Sequence, residues 1–416
     1  MFIARALSLL FLSFSLIIIR SDHRHIDYDD IDRFIAQMSV REKIDQLLIP
    51  FASYTTEAFG GFIFMGDHFN GTVFSDVKAA MSFAPPHAKP FLFVDQEGGR
   101  VDRLGRMFGT EFPAPKDIRT LPRERRIAEG RRIAAALSKA GLNALLGPAL
   151  DIGTRDNLME ISGRCYGRDA DEVRTTAGDI IAGLREKRGI LLFAKHFPGY
   201  IARENSDADI VSNDASPDAV ARCAELFFDT NIAPHIAGFM VNNIWYRNCG
   251  DAIGIFNRAI IRYARRNAPD KLIITDDLYS SSSLYSRPIR KHAYLSYISN
   301  RYIAAGLPLP DILQNDYTAI TNEFPSAAFR DECRSNFCRE IGLVALRAFN
   351  AGCDMLMISD YRGVHLVRAA FGDALRKDPA MLRVIDERIR RILIIKKRNG
   401  LFTPYRMYLA APATAM

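Results

Sequence analysis

The sequence predicts an α/β fold, a TIM-like (β/α)8 barrel formed by a single domain. Short, almost continuously apolar segments alternate along the chain with longer segments of helical periodicity. This alternation indicates parallel strands that are covered on both faces by helices. No GxGxxG motif follows a predicted strand, and the length of 416 residues suits one barrel, so we expect a closed barrel in preference to an open nucleotide-binding sheet.

The expected strands are bounded by turn residues such as Gly, Pro and Asp, whereas the expected helices carry the charged residues. The predicted strands are residues 43–51, 60–66, 90–95, 143–151, 190–196, 237–243, 271–277 and 354–360. The predicted helices are residues 122–140, 169–188, 216–229, 255–267, 336–351 and 382–399.

The N-terminus predicts a segment that is separate from this fold. Residues 6–19 are apolar and lie between Arg5 and Arg20, a length typical of a signal peptide and short for a membrane span. We therefore expect a signal peptide or membrane anchor over 1–22, the barrel over 23–404 and a tail over 405–416. The alternatives at the N-terminus are an amphipathic starter segment and an incorrectly assigned start.

The charge and the cysteines exclude some classes of partner. The net charge of +7 is spread over local basic runs, which are typical of solvated helix faces. No nucleic-acid-binding motif accompanies them, so we expect no nucleic acid partner. The six cysteines contain no CxxC pair, which gives no support to a zinc or thioredoxin-type site. Cys333 and Cys338 form the one close pair, and two free thiols are favoured there over a disulfide.

Polar residues stand at the ends of most predicted strands. One such residue alone is best explained as a turn or capping residue. Several together indicate a shared pocket, because the carboxyl ends of parallel barrel strands surround one site. These residues are Asp95, Asp151, His196, Asn243, Asp276 and Asp360.

Two of these strand ends carry groups suited to binding hydroxyls. In FVDQEGGRVDRL, residues 93–104, Asp95 can accept hydrogen bonds from vicinal hydroxyl groups; the alternative is a structural Asp–Arg pair. In FAKHFPGY, residues 193–200, Lys195 can donate to hydroxyls or stabilise developing negative charge. His196 beside it is either part of that site or a structural histidine.

The third strand end carries adjacent carboxylates. In LIITDDLYS, Asp276 and Asp277 follow an apolar strand. In retaining glycoside hydrolysis, one carboxylate attacks the anomeric carbon while a second group protonates the leaving oxygen. Asp276 is our predicted nucleophile, whereas a capping role suits Asp277.

These three motifs, in this order, resemble the β-N-acetylglucosaminidases of glycoside hydrolase family 3. The resemblance spans residues 30–402, because further segments look similar to that family. These segments are residues 38–48, 147–152, 162–169, 345–357 and 384–402. The resemblance implies a TIM-like barrel, a retaining mechanism, a carbohydrate substrate with β-linked N-acetylglucosamine, often from cell-wall fragments, and no metal or organic cofactor. It places Asp276 at the nucleophile. The positions that match its sugar-binding residues are Asp95, Arg103, Arg164, Lys195 and His196.

The acid/base loop departs from the family pattern of KHFPGHG followed by Asp-Ser-His. Tyr200 stands in place of a histidine. If one residue is inserted, Asp207 and Asp209 fall on the Asp and His of the trio; without the insertion, Ala208 falls on the His. An aspartate needs burial or a neighbouring like charge to hold a proton near neutrality. We therefore expect Asp209 or Asp207 to act as acid/base, with Glu204 a further candidate.

The departures also keep other functions open. One alternative is a catalytically impaired glycan-binding protein of the same fold, and another is a retuned enzyme such as a transglycosidase or phosphorylase. Asn243 also stands where the family usually has histidine. Residues 279–340 form a long connection, which is either a lid, a partner surface or a solvated insertion.

Overall fold

A computed structural model describes residues 28–52, 57–66, 69, 71–85, 87–207, 211–280 and 341–403. The predicted segments 1–22 and 405–416 lie outside these residues, as do Asp209, Cys333, Cys338 and nearly all of the 279–340 connection.

The centre of the fold is a curled parallel sheet, so the predicted α/β class is confirmed. Its strands are short, and most of their residues are buried on both faces. In chain order the strands are β1 (Leu48–Pro50), β2 (Gly61–Phe64), β3 (Phe91–Gly98), β4 (Val101–Asp102), β5 (Ala144–Ala149), β6 (Leu191–Phe197), β7 (Ser212–Asn213), β8 (Gly238–Val241), β9 (Trp245–Tyr246), β10 (Ala252–Ile253), β11 (Leu272–Thr275) and β12 (Leu356–Ile358).

The parallel strands run in the order β2-β3-β5-β6-β8-β11, and β1 pairs with β12 in parallel. Single parallel bridges, Phe51–Ile63 and Ile274–Met355, connect that pair to the two edge strands β2 and β11. The carboxyl ends of all these strands therefore face the same side of the sheet.

Helices cover the outer face of the sheet. Two of the long helices, Arg123–Ala140 and Ala170–Arg185, pack on each other, and the second of them also contacts β5. In chain order the described helices are α1 (Asp29–Gln37), α2 (Val40–Gln46), α3 (Val73–Ser82), α4 (Arg103–Phe108), α5 (Pro115–Ile118), α6 (Arg123–Ala140), α7 (Leu158–Ile161), α8 (Ala170–Arg185), α9 (Pro217–Glu225), α10 (Arg258–Asn267), α11 (Ile341–Ala351), α12 (Val364–Lys377) and α13 (Met381–Arg398).

The interior between the strands is aromatic. Phe93 of β3 meets Phe193 of β6 edge to face with ring centroids 4.9 Å apart, and Phe91 lies 5.8 Å from Phe193. Edge-to-face contacts of this kind add to the free energy of burying the rings. The aromatic side chains therefore fill the interior of the sheet, and the polar groups at the carboxyl edge lie next to this packed core.

The strand predicted over 43–51 is wrong in its first half. Residues 43–46 belong to α2, because Ser39 and Glu42 form a capping box that starts a helix at Val40. The strand itself occupies Leu48–Pro50. A small mixed sheet of β7, β9 and β10 was not predicted either.

Candidate active site

The core of the site is a buried group of charges at the carboxyl edge. Lys195 Nζ lies 2.5 Å from Asp95 Oδ1 and 2.6 Å from Glu97 Oε1. Arg164 donates to both oxygens of Glu97, from Nε at 2.8 Å and from Nη2 at 2.7 Å. Lys195 and Glu97 are almost completely buried, whereas the Asp95 side chain is 21% exposed. Asp95 is thus the carboxylate of this cluster that a ligand can reach.

The charged side chains of this cluster stabilise one another in their ionised forms. Burial alone would raise the pKa of Glu97, but the cations Arg164 and Lys195 outweigh it and keep that pKa well below its usual range. Burial would lower the pKa of Lys195, yet Asp95 and Glu97 raise it. Glu97, Arg164 and Lys195 are consequently ionised together, and with Asp95 they present a fixed set of hydrogen-bond donors and acceptors.

His196 is oriented by a second buried carboxylate. Its Nδ1 lies 2.7 Å from Asp151 Oδ2, and its Nε2 lies 3.4 Å from Arg164 Nη2. With Nδ1–H donating to Asp151, Nε2 is the acceptor for Arg164. Asp151 therefore sets the tautomer of the imidazole and joins β5 to β6 at the floor of the site.

Asp276 directly follows β11, where the backbone fixes it. Its N–H donates to Val241 O at 2.9 Å, and its Oδ1 accepts from Asp277 N at 2.8 Å. Burial, and then the charge of Asp207, raise the pKa of Asp276 to about 7. This carboxyl is thus poised between its protonated and ionised forms near neutral pH.

Asp277 serves the backbone. Its Oδ1 accepts from Tyr279 N and from Ser359 N, each at 3.1 Å. The carbonyl oxygen of Asp277 accepts from Asn243 Nδ2 at 3.0 Å. Asn243, Asp277 and Ser359 therefore join the ends of β8, β11 and β12, which holds Asp276 in place.

Asp207 shares the electrostatic environment of the site. The residue as a whole is exposed to solvent, but neighbouring protein groups partly desolvate its carboxyl. This desolvation raises the pKa of Asp207 against the opposing attraction of His196 and Arg164, and the charge of Asp95 raises it further. Asp207 is also the charged neighbour that raises the pKa of Asp276 most. The loop after β6 thus places a second carboxyl within electrostatic reach of the predicted nucleophile.

The other predicted site residues lie outside the charged cluster. Arg103 begins α4, where its backbone N–H donates to Gln96 Oε1 at 2.9 Å. Among the described residues, no hydrogen bond or ion pair joins the Arg103 side chain to the charged cluster. Its Nε is buried and has no hydrogen-bond partner among the residues that the structure describes. The Glu204 side chain is exposed, and Asp360 caps a short helix by accepting from Arg362 N at 3.0 Å.

Sequence reasoning missed two residues that organise the site. Glu97 stands two positions after Asp95, so both face the same side of β3, and this spacing is the signal that identifies it. Asp151 was noted as one of the polar strand ends, but its pairing with His196 was not predicted. Both are charged residues that are almost completely buried, and buried charged residues require hydrogen-bond or ion-pair partners.

In the part of the chain that the structure describes, no group of His, Cys, Asp and Glu side chains has the arrangement needed for a metal ion. Nor does any described helix have the length and apolar character that a bilayer crossing requires.

The family is shown by comparison with known proteins. The family model described as "Glycosyl hydrolase family 3 N terminal domain" matches residues 39–279, which include every described side chain of the charged cluster and the positions of the predicted catalytic carboxyls Asp276, Asp209 and Asp207. The chain belongs to glycosyl hydrolase family 3.

Relatives agree with this assignment. Beta-hexosaminidase LpqI of Mycobacterium tuberculosis is 29% identical over 175 residues, which cover 40% of this chain and 44% of LpqI. A protein named uncharacterized secreted glycosyl hydrolase, from Arthroderma benhamiae, is 30% identical over 184 residues, covering 42% of this chain and 51% of that protein. The chain thus matches about half the length of these curated relatives.

The fold has solved counterparts. The crystal structure of beta-N-acetylhexosaminidase from Beutenbergia cavernae superimposes with a TM-score of 0.66 at 21% identity, and the match covers 87% of this chain and 99% of that one. At this identity the likeness concerns the fold.

Proposed function

We propose that this protein is a retaining glycosidase that releases β-linked N-acetylhexosamine, with Asp276 as the nucleophile and Asp207 as the acid/base. The observation that carries the proposal is the pair of carboxyls, Asp276 and Asp207, beside a buried set of hydroxyl-binding groups. The name of the LpqI relative supports the substrate class.

The charged cluster suits the sugar-binding step. Asp95 accepts hydrogen bonds from hydroxyl groups, while Lys195 and Arg164 donate to hydroxyl oxygens. Because Glu97 fixes both cations, they do not need to reorganise when substrate binds, and preorganised donors of this kind stabilise charge that develops in the transition state.

The chemistry follows a double displacement. Asp276 attacks the anomeric carbon as the bond to the leaving oxygen breaks, and Asp207 transfers its proton to that oxygen. Asp207, now ionised, takes a proton from water, whose oxygen attacks the same carbon and releases Asp276. Asp207 thereby regains its proton, and both carboxyls return to their starting states.

The proposal is tested with purified protein and an aryl β-N-acetylglucosaminide. We expect wild type to release the phenol and Asp276→Asn to lose activity by about 10³-fold or more. Asp373→Asn, an exposed change on α12, is the matched control and should act like wild type. If wild type releases no more phenol than Asp276→Asn, the glycosidase proposal is wrong.

Assignment of the acid/base to Asp207 has its own test. Asp207→Ala should lose about 10²–10⁴-fold with a poor phenol leaving group, and azide should restore turnover by forming the β-glycosyl azide. Asp209→Ala should keep most activity. The reverse pattern would transfer the role to Asp209.

Two further proposals concern the whole chain. The bridges at Phe51–Ile63 and Ile274–Met355 support closure of the sheet into an eight-stranded (β/α)8 barrel. The apolar N-terminal segment and the secreted relative support export. N-terminal sequencing of protein secreted by its expression host tests this second proposal, since cleavage near residue 22 is expected.

A further inference from the structure

Tyr200 links the floor of the site to the loop that carries Asp207. Tyr200 is only 5% exposed, so its hydroxyl group needs hydrogen-bond partners within the protein. Its hydroxyl donates to Glu204 O at 2.8 Å and accepts from Ser206 N at 2.9 Å. One phenol thus closes the turn immediately before Asp207.

The backbone of Tyr200 is fixed on the opposite side. Its N–H donates to Asp151 Oδ1 at 2.7 Å, and the other oxygen of the same carboxylate accepts from His196 Nδ1. The Tyr200 ring also meets the His196 imidazole edge to face, with centroids 5.7 Å apart. Movement of Tyr200 would therefore disturb the site and the loop together.

Neighbouring contacts complete the loop. Asn205 Oδ1 accepts from Asp207 N at 3.1 Å. Ile201 O accepts from Asn213 Nδ2 and Ala202 O accepts from Leu158 N, both at 2.8 Å. The segment that follows Tyr200 therefore has partners outside the loop as well, and the Tyr200 hydroxyl joins Asn205 in holding its last turn.

We infer that Tyr200 is a positioning residue: its hydroxyl holds the turn at Glu204–Ser206 so that the Asp207 carboxyl faces Asp276. The inference rests on the proposed function and deepens it. In this chain a tyrosine clamp and an aspartate occupy the loop in which the family resemblance leads one to expect histidines. Burial raises the pKa of Tyr200 to about 12, so the hydroxyl keeps its donor proton throughout the neutral range.

Tyr200→Phe tests the inference because it removes only the hydroxyl. A misplaced acid slows substrates that need protonation of the leaving group, and it spares those that do not. We expect kcat/KM to fall about 10–100-fold for the phenyl β-N-acetylglucosaminide and less than about 3-fold for the 2,4-dinitrophenyl compound. Tyr263→Phe on α10 is the matched control. Equal losses on both substrates would indicate a general structural role and overturn the inference.

A second readout does not depend on turnover. The difference in Tm between wild type and Asp276→Asn, followed against pH, reports the pKa of Asp276. If Tyr200 holds Asp207 beside Asp276, repeating the comparison in the Tyr200→Phe background should shift the apparent pKa of Asp276 downward. An unchanged pKa would overturn the inference. If wild type shows no turnover but the pKa of Asp276 still shifts in the Tyr200→Phe background, the proposed function is refuted and the positioning role of Tyr200 is not.

Discussion

Single residues in this site depend on partners that are distant in the sequence. Glu97 binds Arg164, which is 67 positions away, and Lys195, which lies in β6 nearly a hundred residues later. Strand-end polarity predicts Asp95, Lys195 and His196. It does not reveal that Glu97 neutralises the cations, because the pairing exists only when β3, β6 and the segment before α8 are assembled.

Glu97→Gln is expected to destabilise the protein strongly. It leaves Arg164 and Lys195 with one fewer buried counter-charge, and breaking such a pair costs about 3–5 kcal/mol. Asp95→Asn is the matched comparison, and since that side chain is partly exposed its cost should be smaller. Urea unfolding measures both free energies. A loss below about 1 kcal/mol for Glu97→Gln would contradict the structural role of the cluster.

Asp276→Asn should stabilise the protein in a pH-dependent manner. The folded pKa of about 7 lies above the ordinary value of 3.8, so the folded state binds the proton more tightly and wild type loses stability as pH rises from 4 to 7. Below pH 4 the variant and wild type should have similar Tm values. Above pH 7 the variant should be more stable by about 1–3 kcal/mol, after allowance for solvent screening.

The measurement is a series of thermal unfolding curves from pH 4 to pH 8.5. Asp373→Asn again serves as the control and should show no such trend. A constant difference across the series would mean that the Asp276 carboxyl titrates normally.

The same pair of carboxyls predicts the pH dependence of activity. The working state has Asp276 ionised and Asp207 protonated, and the two titrate as a pair. Ionisation of Asp276, whose pKa is about 7, should raise kcat/KM as the pH increases towards 7, and loss of the Asp207 proton, whose pKa is also raised, should lower kcat/KM on the alkaline side for substrates with poor leaving groups. Rates for the phenyl substrate from pH 4 to 9 measure this limb. A rate that stays flat from pH 6 to 9 would contradict it.

Elements are joined at the site by turns whose geometry the sequence only partly encodes. Gly98 ends β3 and Gly99 follows it in a tight turn, and Gly98 has a φ of 93°. A Cβ there would lie 2.1 Å from Pro113 O. By contrast, the loop after β6 was ambiguous, because aligning it depends on one inserted residue, and only the contacts of Tyr200 show how its turn is made.

Gly98→Ala and Gly178→Ala should therefore have opposite effects. Gly98 requires a left-handed backbone and has no room, so alanine should cost about 2 kcal/mol or more. Gly178 lies inside α8, and no atom is within 4 Å of the position that a Cβ would take, so alanine should stabilise by about 0.5–1 kcal/mol. Chemical unfolding of the two variants checks the contrast. Equal effects would show that the turn tolerates alanine.

At the scale of the whole molecule, the strand positions were the most predictable feature. Continuous apolar runs identify strands that are buried on both faces, and each parallel strand of the described sheet overlaps one predicted segment. Helices α1, α3 and α12 were missed because short amphipathic segments are stable mainly through packing on the rest of the fold. Among the described residues, Cys165, Cys223, Cys249 and Cys353 are free thiols.

Asp354, just before β12, ties the amino end of the sheet together. It is fully buried, accepts from Ile273 N at 2.8 Å and pairs with Arg265, Arg388 and Arg391. Because burial is outweighed by these cations, its pKa is lowered. Its stabilisation is therefore present above the unfolded pKa and is lost as pH falls through the folded pKa.

Asp354→Ala should lower the free energy of unfolding by about 3–5 kcal/mol and leave kcat per folded molecule unchanged, since it lies opposite the carboxyl edge. Asp373→Ala is the exposed control. Unfolding by urea and the rate per active site measure the two effects. A large fall in kcat at unchanged stability would contradict this separation.

The contacts of Asp354 also constrain how a newly made chain completes its fold. Two of its three arginines, Arg388 and Arg391, are on α13 and are synthesised more than thirty residues later. The same helix supplies Lys396, which binds Gln46 of α2. A nascent chain that has reached only residue 380 therefore has Arg265 but neither Arg388 nor Arg391 to pair with Asp354, and it lacks the Lys396 that binds Gln46. Ribosome stalling or proteolysis at that point would leave a product prone to quality-control degradation, although every residue of the sugar site had already been made.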